Sequence, residues 1–161
     1  MTDATDAKVQ LLLDREDICQ VLYRYATAID TRDWDLLATC FTDDLEADFR
    51  SFGGREVVKG KAQWLEVIKG TIQGLDATQH LTANHVHTVD GESATLVAYL
   101  QALHRLDTAR SDPEYTVGGY YTCDMLRGDD GQWRMCRYAL AVTWHRGNRD
   151  ILRQAQRRLS K

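Results

Sequence analysis

Apolar side chains recur at helical spacing through the first third of the chain. Ile18, Leu22, Tyr25 and Ile29 follow one another at steps of four, three and four residues. This spacing places them on one face of a helix. It predicts a buried helix that ends near Asp30.

The segment TRDWDLLATCF predicts a second helix, because Trp34, Leu37, Ala38 and Phe41 repeat the same spacing. Asp33 is placed to cap its first turn. A third helix is expected near residues 60–72, and its buried side would carry Trp64, Leu65, Ile68 and Ile72.

The period of the apolar pattern changes to two after Asp76. Residues 78–89 and 93–107 predict two strands, joined at the tight-turn dipeptide DG at 90–91. The segments YTVGGYYTCDMLR and QWRMCRYALAVTWH predict a second hairpin across GDDG, and a short strand is expected at LEADF. The tail, 150–161, predicts a basic helix.

Helices followed by a run of strands predict an α+β fold, with one curved, mainly antiparallel sheet wrapped around the N-terminal helices. Such a sheet leaves a pocket at its open end, where ligands usually bind. The 161 residues fit one domain, spanning 1–161, with a flexible N-terminus at 1–10.

Composition and charge narrow the classes of partner. The formal net charge of −4 provides no broad basic field for nucleic acid or for an anionic membrane. The polar N-terminus is unlike a signal peptide, so a cytoplasmic location is expected, with the four widely spaced cysteines as free thiols. The segments GGYYTCDML and YALAVTW are apolar on both sides, which predicts a homo-oligomer.

Three of the five histidines lie close together in TQHLTANHVH. His85 and His87, two residues apart on a strand, are a real metal-ligand pattern, but no third ligand has suitable spacing. We therefore expect no metal and treat these two as structural.

His104 ends the apolar face of Leu96, Ala98, Leu100 and Ala102 and is expected to point inward. Asp30, at the end of an apolar helix, is either a partly buried acid or a cap for the next helix.

The ordered segments YATAIDTRDWDLL, ADFRSFGG, TQHLTAN, LHRL and DGQWRM resemble scytalone dehydratase. More broadly, the chain resembles the SnoaL-like group of the nuclear transport factor 2 superfamily, which has a cone-shaped α+β barrel. The resemblance covers about residues 14–146. For the expected homo-oligomer, the resemblance to scytalone dehydratase suggests a trimer and that to the wider superfamily a dimer. It implies that Asp30 and His80 form an Asp–His pair at the floor of the pocket, with His104 as a second pocket histidine.

Bile-acid 7α-dehydratases and hexachlorocyclohexane dehydrochlorinase resemble the chain at the same pair, and the bile-acid enzymes place a tyrosine where Tyr25 stands. The catalytic candidates are therefore Asp30, His80, His104 and Tyr25. The chain departs from scytalone dehydratase where Ile29 and Phe49 replace two tyrosines and Tyr120 replaces a serine. The expected substrate-binding residues are Tyr23, Phe49, Tyr120, Thr122 and Trp144.

The first function hypothesis is a cofactor-independent lyase or isomerase for a cyclic, steroid-like, terpenoid or aromatic substrate. His80 would remove an acidic C–H proton, and a donor such as Tyr25 or His104 would assist a leaving hydroxyl. No phosphate-binding, dinucleotide-binding or metal motif is found, so no cofactor is expected. The alternatives are a non-catalytic binding or accessory protein, such as the small subunit of a ring-hydroxylating dioxygenase, and a relative of polyketide cyclases or epoxide hydrolases.

Overall fold

The long first helix, α1, spans Thr2–Thr31 in a computed structural model that describes residues 2–159. Its predicted stripe is buried, with Ile18, Leu22 and Ile29 at most 2% exposed. The helix begins inside the segment expected to be a flexible N-terminus, because residues 2–10 contain no glycine or proline to stop it. Residues 4–13 are exposed.

The second helix, α2 (Trp34–Ala38), is shorter than its apolar spacing predicted. The Asp33 cap is confirmed, since its carboxylate accepts a hydrogen bond from the Leu36 amide at 2.9 Å. Phe41 does not continue this helix but is the first residue of strand β1. Its side chain is buried there against the core, so the apolar position was predicted correctly and its secondary structure was not.

The remaining elements follow the predicted order of a short strand, a helix, two long hairpins and a terminal helix, with a 3-10 helix and a second short strand added between the first strand and the helix. Their bounds are β1 (Phe41–Asp48), a 3-10 helix (Arg50–Phe52), β2 (Val58–Lys59), α3 (Lys61–Ile72), β3 (Ala77–Asp90), β4 (Ser93–Arg105), β5 (Glu114–Arg127), β6 (Trp133–Gly147) and α4 (Asp150–Leu159).

The strands form one curved, mixed sheet in the order β2-β1-β6-β5-β4-β3. The pair β1–β6 is parallel, and every other neighbouring pair is antiparallel. A bulge interrupts the β3–β4 pairing between Ala83 and Val86, at Asn84, whose backbone is left-handed with φ 52°. The extra residue reverses the alternation of side chains along β3.

The α1 helix packs across one face of the sheet, mainly against β3 and β6, while α3 contacts β1 and α4. This side of the sheet holds the hydrophobic core. The opposite face carries exposed apolar side chains, among them Tyr99 and Trp144. None of the helices described over residues 2–159 is long and apolar enough to span a membrane.

Candidate active site

A cavity of about 320 Å³ opens between the sheet, α1, α3, α4 and the 3-10 helix. This volume lies at the lower end of the range for small-molecule sites. Most of the wall is aliphatic or aromatic, and His80 and His104 provide imidazole groups. The apolar part of the wall includes Ile29, Phe49, Phe52, Trp64, Ile68, Ile72, Leu100, Val117, Leu140 and Leu152.

Asp30 and His80 meet at one end of this cavity. Asp30 lies in the last turn of α1, and His80 lies on β3, opposite Ala102 of β4. The Nδ1 atom of His80 is 2.7 Å from the Asp30 Oδ1 atom, and the His80 backbone N–H donates to Oδ2 at 2.8 Å. The His80 side chain is only 6% exposed. The structure therefore brings these two predicted site residues within hydrogen-bonding distance of each other.

The contacts of Asp30 favour its ionised form. Burial alone would raise the pKa of this carboxyl, but the hydrogen bonds from His80 and from the Thr78 hydroxyl lower it below its usual value. Because a carboxylate can only accept, the Nδ1 atom of His80 carries a proton. In the neutral form of the ring, the lone pair is therefore on Nε2, which can then act as a base.

His104 lies on β4, and its ring centroid is 5.9 Å from that of His80. Its Nδ1 atom is 3.2 Å from the Tyr115 carbonyl oxygen, which can only accept, so this nitrogen holds the ring proton. Burial, together with the neighbouring His80, lowers the pKa of His104 to about 4. At neutral pH its Nε2 atom is therefore an acceptor, which corrects the sequence prediction of a proton donor at the leaving group.

Two phenols also line the cavity. Tyr25 is buried, and its ring lies 6.4 Å from that of His80 and 5.9 Å from that of Tyr121. Burial raises the pKa of Tyr25 and that of Tyr121 above the usual value. Both are therefore neutral hydrogen-bond donors at physiological pH. Tyr25 was predicted in the pocket, whereas Tyr121 was not.

Of the five residues expected to bind substrate, only Phe49 lines this cavity. Tyr120, Thr122 and Trp144 lie on the opposite face of the sheet. On β5 the inward side chains are those of Tyr121 and its odd-numbered neighbours, so Tyr120 points away. Tyr23 lies on the outer side of α1, where it is 39% exposed and its ring contacts that of His85.

The other two clustered histidines pack between β3 and α1. The bulge at Asn84 turns His85 and His87 to the same face of the sheet as His80. The Nε2 atom of His87 lies 3.2 Å from the Cys19 sulfur, and the His85 ring lies edge-on to Tyr23. Burial lowers the pKa of both histidines. Neither lines the cavity.

Sequence reasoning missed two polar residues that contact the Asp–His pair. Thr78 precedes His80 by two positions, so both side chains share a face of β3. Arg32 follows α1 directly, and its guanidinium donates to the Thr78 hydroxyl at 2.8 Å. The two-residue offset of Thr78 from His80 was visible in the sequence. Nothing in the sequence indicated that the Arg32 side chain turns back toward the end of α1 and Thr78.

Comparisons with known proteins find similar sequences along most of the chain. The model of the SnoaL-like domain matches residues 10–139. An uncharacterised Mycobacterium tuberculosis protein, Rv2910c, is 30% identical over 138 residues, which are 84% of this chain and 89% of that protein.

Solved structures share the fold along most of the chain. The Kfla4162 protein of Kribbella flavida has a TM-score of 0.81 and 26% identity, covering 89% of this chain and 99% of its own. A proposed scytalone dehydratase of Novosphingobium aromaticivorans has a TM-score of 0.76 and 22% identity, covering 92% of each chain. The cone-like α+β architecture expected from the sequence resemblance is therefore confirmed.

Proposed function

Because the chain belongs to the SnoaL-like domain family, we propose that it is a cofactor-independent lyase of the dehydratase type. The observation that carries this proposal is the Asp30–His80 pair, joined at 2.7 Å at the end of an apolar cavity. A carboxylate that accepts the imidazole N–H fixes the tautomer and stabilises the imidazolium formed on proton abstraction.

The wall of the cavity indicates the class of substrate. Aromatic side chains of Phe49, Phe52 and Trp64 form much of the surface, and no lysine or arginine among residues 2–159 lines it. A cyclic, steroid-like or aromatic hydrophobic molecule with few polar groups suits this wall, because burying its apolar surface drives binding. A few polar contacts at the histidine end would orient it.

The reaction proposed is an elimination. The Nε2 lone pair of His80 takes a proton from a carbon made acidic by a neighbouring group of the substrate. The electrons of the broken C–H bond form a double bond, and the C–O bond to the leaving hydroxyl breaks. That hydroxyl takes a proton from a phenol, with Tyr25 as the first candidate, and departs as water. The phenolate is reprotonated from the His80 imidazolium through the product water, which restores both groups.

His104 has a different part in this proposal. Its bare Nε2 accepts a hydrogen bond, so it would hold a substrate hydroxyl rather than protonate it. A site built to accept from a hydroxyl discriminates against analogues that lack it, since a buried acceptor would then stay unpaired. The proposed substrate therefore carries a hydroxyl within reach of His104.

The similar proteins support elimination chemistry but do not identify the substrate. A scytalone dehydratase is named among the structures that share this fold, and the sequence motifs around Asp30 and His80 resemble those of that enzyme. The same fold can also hold a ligand without reaction. The Asp–His geometry is the reason to prefer catalysis, since simple binding has no need for a fixed base.

A ligand screen followed by turnover assays tests the proposal. Cyclic ketones, hydroxysteroids and fused aromatics are screened by thermal shift, since a ligand at a hundred times its Kd adds about 2.7 kcal/mol of stability. Hits are then assayed for loss of water by mass spectrometry. His80→Ala and Asp30→Asn should still bind but lose turnover, and His85→Ala, outside the cavity, is the matched control. Tight binding without turnover by wild type would instead make the protein a binding module.

We also propose that the protein is a homo-oligomer, joined through the outer face of the sheet. Exposed apolar side chains lie on four neighbouring strands there: Leu81, Val86, Tyr99, Tyr120 and Trp144. Tyr99 pairs with Tyr120, and Leu81 lies in the adjacent row. Apolar patches of this kind are rare on monomers, and a second copy would offer a matching apolar surface.

A further inference from the structure

Arg32 has an unusual backbone for a side-chain-bearing residue. Its φ of 63° is left-handed, and Asn84 is the one other non-glycine residue with a positive φ over residues 2–159. The backbone of α1 turns back at this point, with hydrogen bonds from the Arg32 amide to Ile29 O and from the Asp33 amide to Ala28 O. This turn directs the guanidinium back beneath the end of the helix, where Nη1 donates to Ile29 O at 2.6 Å.

The same Nη1 atom donates to the Thr78 hydroxyl oxygen at 2.8 Å. A guanidinium can only donate, so the hydroxyl oxygen is the acceptor in this contact. The single hydroxyl proton of Thr78 is then left for Asp30 Oδ1, which lies at 2.9 Å. Thr78 is 8% exposed, so solvent does not readily replace either contact.

The Asp30 carboxylate is thereby held by three donors. Oδ1 accepts from the Thr78 hydroxyl and from the His80 ring, and Oδ2 accepts from the His80 backbone amide. One of these contacts comes from the imidazole ring that the carboxylate orients, and the other two do not depend on that ring. Of those two, the Thr78 contact is the one made by a side chain, and Arg32 orients it.

We propose that Arg32 and Thr78 are positioning residues, which orient the Asp30 carboxylate and so keep His80 in the Nδ1–H tautomer with a bare Nε2. The relevance of this role to catalysis rests on the proposed function. The role itself concerns the resting protein and can be measured without a substrate. Fixed geometry of this kind matters because small misplacements of a catalytic group are costly in rate.

Two substitutions interrupt the hydrogen bonds from Arg32 through Thr78 to Asp30 with little change to the backbone. Thr78→Val keeps the branched shape but loses the hydroxyl, and Thr78→Ser restores it. Arg32→Gly removes the guanidinium at a φ that glycine adopts without strain. Thr88→Val, on an exposed part of β3, controls for hydroxyl loss. Asn84→Gly, at the other left-handed residue, controls for backbone freedom.

The readout is the imidazole of His80 in nitrogen-15-labelled protein, followed by NMR correlations between its carbon-bound protons and both ring nitrogens. Wild type, Thr78→Ser and both controls should show the Nδ1–H tautomer. Thr78→Val and Arg32→Gly should lose it in favour of a mixture of both tautomers. An unchanged His80 spectrum in both variants would overturn the proposal and leave Arg32 as a helix cap.

Turnover adds a second readout once a substrate is known. Thr78→Val and Arg32→Gly should lower kcat on the order of tenfold with little change in KM, because the base is misplaced while the cavity wall is intact. Thr78→Ser should recover wild-type kcat. If wild type turns over no candidate, the proposed function fails, whereas the NMR comparison still decides whether Arg32 and Thr78 position the pair.

Discussion

Buried His104 should make the protein less stable as the pH falls below about 6.5. The perturbation is the replacement of His104 by Gln, which removes the titrating group but keeps a polar side chain of comparable size. His104 is 3% exposed, and its proton is donated to the Tyr115 carbonyl. Protonation of the second ring nitrogen would place a charge inside an apolar wall.

The magnitude follows from the difference in proton affinity between the two states. The pKa of His104 falls from 6.5 to about 4 in the folded protein, mainly through burial. Between these values the unfolded chain binds a proton that the folded chain does not, so stability falls as pH falls. At 1.36 kcal/mol per pH unit the loss is about 3 kcal/mol by pH 4, and it is absent above pH 6.5.

Urea unfolding, followed by tryptophan fluorescence at several pH values, measures this loss. The free energy of unfolding of wild type should decline more steeply between pH 6.5 and 4 than that of His104→Gln. Replacement of the exposed His145 by Gln is the matched control and should keep the wild-type slope. If wild type and His104→Gln decline in parallel, the assignment of a buried neutral imidazole to position 104 is wrong.

Three further predictions concern other parts of the molecule. Replacing Tyr99 and Trp144 by Glu on the outer face should yield a monomer by light scattering, while a wild-type monomer at micromolar concentration would refute the oligomer. A disulfide reagent should modify the half-buried Cys136 first and Cys40 and Cys123 last, because both are buried and burial raises their pKa, that of Cys40 to about 11. Elemental analysis should find no stoichiometric zinc or iron, and one bound metal lost in His85→Ala would overturn that view.

The order of helices and strands could be predicted because each apolar face is continuous in the sequence. The stripe from Ile18 to Ile29 and the alternation from Leu96 to His104 both face the core as expected. The ends of the elements were predicted less accurately. Phe41, for example, was assigned to the second helix but begins β1, because a strand and a short helix can bury the same side chain. The chain turns there at Thr39 and Cys40, whose amides bond back to α2.

The Asp30–His80 pair was found because motifs quoted from the sequence resemble a known pair, which spacing alone did not reveal. Most of the expected substrate-binding residues do not line the cavity, and for those on β5 and β6 the reason is local. Both faces of β5 carry an aromatic ring, at Tyr120 and Tyr121, so alternation did not indicate which face is inner. On β6 the register shifts opposite Gly118 and Gly119, and this shift sends Trp144 outward.

Arg32 and Thr78 show a second limit of prediction from the sequence. Thr78 could be assigned to the face of His80 from the period of two. The contact from Arg32 depends on a left-handed backbone at a residue that rarely adopts it. No periodic pattern in the sequence indicates such a turn. The hydrogen bonds from Arg32 to Thr78 and from Thr78 to Asp30 are therefore seen only in the three-dimensional structure.

The central claim is that His80, held by Asp30, is a base toward a carbon acid in the cavity. The most direct measurement uses a ligand from the thermal-shift screen in deuterated buffer and follows deuterium incorporation at its activated carbon by NMR. Wild type should exchange this position, and His80→Ala and Asp30→Asn should exchange it roughly 100-fold more slowly while still binding. Equal exchange by all three proteins, or none by wild type with a tightly bound carbon acid, would contradict the account.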